Sequence, residues 1–301
     1  SFVPGNKTAG LDIPEGEDVL DADAAHMYAS CAGTLPYHAL DRPDLQLVTG
    51  KLMSALTAPK VKKLAQLKQV ARYLKTRREC CWKFDLQEWV TEIIVLTDSD
   101  WVVDAETRRS VDCVHLFLGR HLLESSSAQQ QVVALSSGES EVYGLVRGSA
   151  IGKPSCDALS EVRQQIQDLI ETKLGVLTDA SAARGIVCCP SSGRVKHLET
   201  WSLWTQGRER RKQLEIGATE ASLNTLNPGT KFYPRSGLGE LLQIVPLAIG
   251  MRLVSVTALL MACALVMTAR IQSEERDVFP AEHNHRNDFG SFEVVLCLVF
   301  G

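Results

Sequence analysis

The sequence predicts an α/β protein in which helices flank a mixed sheet. Two segments, Glu92–Trp101 and Leu174–Ile186, each contain a short apolar run that ends in Thr-Asp. A buried strand that ends in this way delivers a carboxylate to the rim of a sheet. Between the two segments, Ser-Gly-Glu-Ser-Glu from Ser137 is typical of a helix start, with Ser136 or Ser137 as N-cap and acids in the first turn.

Length and composition indicate a folded, intracellular protein. The chain has 301 residues, 45% apolar and 23% charged, with a net charge of −4, so nucleic-acid binding would need local basic patches. Nine cysteines, an odd count without C-x-x-C, favour reduced thiols in the cytoplasm or nucleus. Zinc is disfavoured, because the adjacent pairs Cys80-Cys81 and Cys188-Cys189 point in different directions and no histidine is suitably spaced.

Composition and periodicity divide the chain into four predicted regions. Residues 1–23 read as an irregular leader, 24–86 as a helical region, 87–240 as the α/β domain, and 241–301 as an apolar helix and tail. In the helical region, Arg42-Pro43 breaks one helix, and Pro59–Glu79 forms the clearest one. The α/β domain is predicted to contain one helix from about Ser137 and a second helix at Ser160–Thr172. Its predicted strands are Ile93–Thr97, Cys113–Leu118, Gln131–Leu135 and Gly175–Thr178.

The apolar stretch near the C-terminus has two interpretations. Leu253–Ala269 is 17 residues without a charge, which is short for a membrane span of ~20 residues. It predicts either a helix laid over the domain or a membrane-associated helix within residues 244–270.

Three acidic positions are expected to meet at the rim of the sheet. They are Asp98, a glutamate at 139 or 141, and Asp179. Convergent carboxylates repel one another unless a divalent cation lies between them, and oxygen ligands suit Mg²⁺ or Mn²⁺. Local roles compete with this one, since Asp98 can be a turn acid and Asp179 a helix N-cap.

Six short motifs follow one another between residues 97 and 200. In order, they are T-D-S-D-W (97–101), E-T-R-R-S (106–110), F-L-G-x-H-L (117–122), V-A-L-S-S-G-E-S-E-x-Y (133–143), L-T-D-A-S-A-A-R-G-I (177–186) and K-H-L-E-T (196–200). Together these motifs resemble the RNase H region of copia-type LTR retrotransposon polyproteins. Residues 32–46 and 67–75 also resemble the stretch after the reverse transcriptase palm, so the resemblance covers roughly residues 25–240.

The resemblance implies an RNase H-like mixed sheet, preceded by a region like the thumb and connection of a reverse transcriptase. It implies that Asp98, Glu141 (favoured over Glu139) and Asp179 hold two Mg²⁺ or Mn²⁺ ions for hydrolysis of the RNA strand of RNA/DNA hybrids. The fourth catalytic position departs from the family pattern, since Leu226–Lys231 reads L-N-P-G-T-K and places Asn227 where an aspartate is expected. An amide supplies no charge, so the second ion should bind more weakly.

Two basic segments are the candidate nucleic-acid contacts. No acid interrupts residues 60–78, and like charge at this density repels itself. The resemblance implies that this region contacts a hybrid and that the rest of the polyprotein is a partner. Rival hypotheses are a decayed nucleic-acid-binding remnant, another nuclease on the same fold, and a membrane-anchored protein. The candidate contact residues are Lys62, Lys63, Lys68, Arg72, Lys75, Arg208, Arg210 and Arg211.

Overall fold

The computed structural model describes residues 18–78, 80–102, 107–166, 171–189, 204–219, 226–230, 247–248 and 294–298. The chain forms two compact units, one of Ser1–Thr76 with Gln87–Val245 and one of Arg77–Leu86 with Pro246–Gly301. The helices are α1 (Ala22–Ala39), α2 (Pro43–Met53), α3 (Val61–Thr76), α4 (Ser137–Gln165), α5 (Ser181–Cys188), α6 (Trp204–Arg210) and α7 (Asn227–Thr230). The strands are β1 (Cys80–Phe84), β2 (Glu92–Asp100), β3 (Val111–Leu118), β4 (His121–Gln129), β5 (Lys173–Thr178), β6 (Glu215–Ala218), β7 (Leu247–Ala248) and β8 (Val294–Leu298).

The larger unit contains a five-stranded mixed sheet with the order β4-β3-β2-β5-β6. The first three strands of this sheet along the chain, β2, β3 and β4, form an antiparallel meander. The chain then crosses over through α4, so that β5 pairs parallel with β2, and β6 pairs parallel with β5. The predicted mixed sheet flanked by helices is therefore confirmed.

Helix α4 lies unusually close to the central strand because glycines face β2. A Cβ added at Gly144 would lie 2.5 Å from Ser99 Oγ, and one at Gly148 would lie 2.3 Å from Thr97 Cγ2. At Gly152 the added atom would lie 2.7 Å from Val95 Cγ2. The three glycines are four residues apart, so they share one helix face. Their small size sets the helix-to-sheet distance, with Glu141 one turn before the first of them.

The N-terminal helices have a hydrophobic core of their own, which includes Tyr28, Leu45 and Val70. Pro43 occupies the first turn of α2, which explains the break after α1. Helix α2 packs on β4, where buried Gln46 Nε2 donates to Ser125 O at 2.6 Å. Helices α1, α2 and α3 thus share one compact unit with the five-stranded sheet, and a domain boundary near residue 86 stays a prediction.

Two predicted elements of the sheet domain were wrong. Gln131–Leu135 is not a strand; the second neighbour of β3 in the sheet is β4, whose serine-rich second half lacks an apolar signal. The segment expected to start a second helix at Ser160 continues α4, which runs for 29 residues with Pro154 inside it. Contacts between α4 and the sheet outweigh the cost of that proline.

The smaller unit holds a three-stranded sheet with the order β7-β1-β8, in which β1 is antiparallel to both neighbours. Residues 80–84 are therefore strand, although they lie in the region predicted to be helical. The predicted apolar C-terminal helix is not supported, since Leu247–Ala248 and Val294–Leu298 are strands and the rest of 244–270 lies outside the described residues. Among the described residues, no helix is long and apolar enough to span a bilayer.

Candidate metal centre

Three carboxylates meet at one edge of the sheet. One oxygen each of Asp98, Glu141 and Asp179 lies within 4.8 Å of the other two. Asp98 lies near the end of β2 and Asp179 directly follows β5, and these strands are parallel neighbours, so their carboxyl ends lie side by side. Glu141 comes from the first turns of α4, which packs on both strands. The structure therefore brings together the three residues selected from the sequence.

The two glutamates at the start of α4 have different surroundings. Glu139 is 3% exposed, and its carboxylate accepts hydrogen bonds from Leu135 N at 2.7 Å and from Tyr143 Oη at 2.6 Å. Ser136 is the N-cap of α4, and its hydroxyl accepts a hydrogen bond from Glu139 N. Glu139 therefore belongs to the capping arrangement at the start of the helix. Glu141, two positions further along, is the one that reaches the two aspartates.

The alternative role of Asp179 as a helix cap is wrong. Helix α5 begins at Ser181, its N-cap is Ala180, and no side chain forms the cap hydrogen bond. Asp179 is therefore placed to face the other carboxylates.

The electrostatics of the cluster favour a cation. Burial, together with the negative charges of Asp98 and Asp179, raises the pKa of Glu141 to about 8. Glu141 Oε2 is buried and has no hydrogen-bond partner among the described residues. A buried carboxylate oxygen without a donor is costly unless a positive charge lies beside it. An all-oxygen donor set with this spacing fits Mg²⁺ or Mn²⁺.

We expect the metal-free protein to lose stability as the pH rises towards 8. The pKa of Glu141 is raised from 4.5 to about 8, so folding favours its protonated form. This contribution is fully present below pH ~4.5 and is lost as the pH rises through about 8. Burial also raises the pKa of Asp112 to about 6, which adds in the same direction. Urea denaturation in EDTA at pH 6 and pH 8 measures the effect.

Added Mn²⁺ should reverse the loss at pH 8, because it binds the ionised carboxylates. Equal stability at pH 6 and pH 8 in EDTA would contradict the raised pKa of Glu141 in the carboxylate cluster.

Asp98 also accepts a hydrogen bond from α7, a contact that sequence reasoning missed. Thr230, fully buried at the end of α7, donates from Oγ1 to Asp98 Oδ2 at 2.8 Å. Gly229 packs against Cys113, since an added Cβ would lie 2.1 Å from its Sγ, and Cys113 pairs with Asp98 across the sheet. Asn227 begins this helical turn, and its side chain lies outside the described part of the chain. The turn thus carries the predicted fourth position close to the cluster.

Sequence reasoning also missed a further buried carboxylate, Asp112. It is 4% exposed and accepts hydrogen bonds from Ser99 Oγ at 2.7 Å and from Gln130 Nε2 at 2.5 Å. Arg147 donates to its backbone oxygen at 3.2 Å and lowers the pKa that burial raises. An acid inside the apolar pattern of β3 was the only signal in the sequence.

The predicted basic residues are not equally accessible. Lys62, Lys68, Arg72 and Lys75 are exposed on α3, whereas Lys63 donates from Nζ to Lys51 O at 2.9 Å. In the second segment, Arg210 and Arg211 are exposed. The Arg208 guanidinium instead lies over the Trp204 ring at 5.0 Å and donates to Gln213 Oε1.

Relatives of this chain include transposon polyproteins. Over 136 residues it is 28% identical to the retrovirus-related Pol polyprotein from transposon RE1 of Arabidopsis thaliana, covering 45% of this chain and 9% of that protein. Over 119 residues it is 31% identical to secreted RxLR effector protein 161 of Plasmopara viticola, covering 39% of this chain and 83% of that protein. The chain thus spans about a tenth of the length of the transposon polyproteins that it matches.

Among solved structures, the chain is similar to LC11-RNase H1 in complex with an RNA/DNA hybrid. The likeness covers 44% of this chain and 88% of that one, at 14% identity and a TM-score of 0.29. No protein-family model matches the chain. The fold assignment therefore rests on the strand order and on the position of the carboxylates.

Proposed function

Because homologues of the chain are retrovirus-related Pol polyproteins of Arabidopsis transposons, we propose that it is an RNase H-type nuclease that cuts the RNA strand of RNA/DNA hybrids. The observation that carries the proposal is the convergence of Asp98, Glu141 and Asp179 within 4.8 Å. Carboxylates at the strand ends of a mixed sheet agree with the RNase H-like domain expected from the motifs.

The chain's own side chains divide the work of the proposed reaction. Asp98, Glu141 and Asp179 would hold Mg²⁺ or Mn²⁺. Bound divalent ions activate a water and stabilise the leaving oxygen in phosphoryl displacement. Thr230 fixes the orientation of the Asp98 carboxylate by donating from Oγ1 to its Oδ2. The 2′-hydroxyl is the group that distinguishes the RNA strand as the one to be cut.

The reaction is tested with the purified full chain and a hybrid whose RNA strand is end-labelled. We expect cleavage of this RNA with Mg²⁺ or Mn²⁺, and none in EDTA. The same RNA single-stranded and the same sequence as DNA duplex are the matched controls. Tight hybrid binding without cleavage in either metal would instead support a nucleic-acid-binding remnant. Cleavage of the DNA duplex would indicate a nuclease of another class on this fold.

We expect Asn227→Asp to lower the Mn²⁺ concentration needed for half-maximal cleavage. The added carboxylate would supply the charge that the amide lacks, so the second ion should bind more tightly. The position of α7 supports this, because its last residue contacts Asp98. Metal titrations of the two proteins give the measurement, and Asn227→Ser is the uncharged control.

An unchanged metal requirement in Asn227→Asp, with measurable cleavage by both proteins, would place residue 227 outside the site.

We propose that α3 supplies salt-dependent affinity for the hybrid. Replacing its exposed residues Lys62, Lys68 and Arg72 with glutamine should weaken binding at low salt. For every cation–phosphate pair that the substitutions remove, the slope of log affinity against log salt should fall by roughly 0.9 on B-form DNA, with a comparable change for a hybrid. Fluorescence anisotropy at several salt concentrations measures the slope.

Lys173→Gln is a single-charge control, because Lys173 is exposed at the start of β5, at the opposite end of that strand from Asp179. The same slope for the triple variant and the parent would make the basic face of α3 an ordinary solvated surface.

A further inference from the structure

A buried polar network connects β2, β3 and α4 next to the three carboxylates. Asp112 Oδ1 accepts from Ser99 Oγ at 2.7 Å and from Gln130 Nε2 at 2.5 Å. Gln130 Nε2 also donates to Ser140 O at 2.8 Å. All four residues are buried, with Ser140 fully inaccessible and Gln130 5% exposed.

The proton count of the network determines its orientation. The Ser99 hydroxyl has one proton, and it donates this proton in a hydrogen bond to the Asp112 carboxylate, because a charged oxygen is a stronger acceptor than a carbonyl oxygen. The Gln130 amide has two protons, and its nitrogen lies close to two acceptors, Asp112 Oδ1 and Ser140 O, and at 3.3 Å from the Ser140 hydroxyl oxygen. Turning this amide over would bring its oxygen against both acceptors, so the group has a single favourable orientation. Its own oxygen has no hydrogen-bond partner among the described residues.

The network joins the backbone beside one proposed ligand to the backbone beside another. Ser99 directly follows Asp98 in β2, and Ser140 directly precedes Glu141 in α4. Ser99 Oγ also lies 3.1 Å from Ser140 O. Gly144 makes this approach feasible, since a Cβ there would lie 2.5 Å from Ser99 Oγ. The first turn of α4 is therefore held against β2 at the level of the ligands.

We infer that Gln130 is a positioning residue that sets the separation of Asp98 and Glu141 by fixing the Ser140 carbonyl. The inference rests on the proposed metal site, because it assigns the network a role in holding the ligands. Gln130 is uncharged and is not one of the proposed metal ligands, so replacing it with another neutral residue changes no charge at the site. A change in metal affinity on its replacement would therefore report geometry. Groups that orient metal ligands commonly affect metal affinity by about 10- to 100-fold.

The test uses the full chain with Gln130→Met, which keeps the side-chain length and removes both donors. Isothermal titration calorimetry with Mn²⁺ gives the dissociation constant, which should rise about tenfold. Hydrogen exchange in EDTA gives a second, metal-free readout. Amides of residues 137–145 should exchange faster in the variant, because Gln130 no longer links the Ser140 carbonyl at the start of α4 to Asp112 in β3.

Gln46→Met is the matched control. Gln46 is also a buried glutamine, and it donates to Ala39 O and Ser125 O at the packing of α2 on β4. This variant should lose thermal stability to a similar degree while keeping the Mn²⁺ dissociation constant within about twofold. Exchange at residues 137–145 should match that of the parent.

Two outcomes separate this inference from the proposed function. If the parent binds no Mn²⁺, the proposed metal site fails, and faster exchange at 137–145 in Gln130→Met alone still supports the anchoring of Glu141. If Gln130→Met and Gln46→Met behave alike in exchange and in Mn²⁺ affinity, the positioning role is overturned.

Discussion

A Glu141→Gln variant should cut the RNA of a hybrid at least about a thousandfold more slowly than the parent, a loss of ~4 kcal/mol in transition-state stabilisation. Glutamine has nearly the same shape but supplies no charge to the cluster with Asp98 and Asp179. Glu139→Gln should reduce stability by about 1 kcal/mol, because Glu139 belongs to the helix cap, and should leave cleavage close to the parent rate. Single-turnover cleavage with excess enzyme gives both rates.

The metal-free stability of Glu141→Gln distinguishes lost chemistry from misfolding. At pH 8 in EDTA the variant should be more stable than the parent, because it removes a buried carboxylate whose pKa is raised to about 8 by burial and by neighbouring acids. An inactive Glu139→Gln protein beside an active Glu141→Gln protein would exchange the roles assigned to the two glutamates.

A Gly148→Ala variant should be destabilised by about 1–3 kcal/mol, the usual cost of overpacking a core. The added methyl would lie 2.3 Å from Thr97 Cγ2 and 3.1 Å from Val95 Cγ1, so α4 must move away from β2. Because α4 carries Glu141, the same movement should weaken Mn²⁺ binding. Urea denaturation and Mn²⁺ titration give the two quantities.

Gly33→Ala in α1 is the control, since nothing lies within 4 Å of the added atom. In a helix with free space, this change should stabilise the protein by about 0.5–1 kcal/mol. If Gly148→Ala lowers the free energy of unfolding and Gly33→Ala raises it, the need for glycine at position 148 comes from the close packing of α4 on β2 and not from backbone freedom. Stabilisation of both variants would contradict the close approach.

The order of the main elements could be predicted from the sequence because its signals are local. The apolar runs before Asp98 and Asp179 predicted two buried strands, and both exist as β2 and β5. Ser136 was one of the two predicted N-caps of the helix that carries Glu141, and the structure selects it. Strand alternation and helix capping act over a few residues, so a single sequence displays them.

Elements without a local signal were mispredicted. Apolar Gln131–Leu135 looks like a strand, whereas the actual edge strand β4 carries three consecutive serines. Hydrogen bonding to β3 makes residues 121–129 the edge strand of the sheet, and such a strand can expose polar side chains on one face. The serine-rich strand therefore gave no apolar pattern to read.

The sequence by itself determined which carboxylates could form the centre: Asp98, one of two glutamates, and Asp179. The family resemblance favoured Glu141 over Glu139, and only the tertiary structure brings the Glu141 carboxylate beside those of Asp98 and Asp179. Tertiary structure alone also brought Thr230 to Asp98 across 132 positions, and Gln130 to Asp112 across 18. The physical reason is that a residue's capacity to bind a cation lies in its own chemistry and local context. Its partners depend on close packing between elements far apart in the chain, which no local pattern encodes.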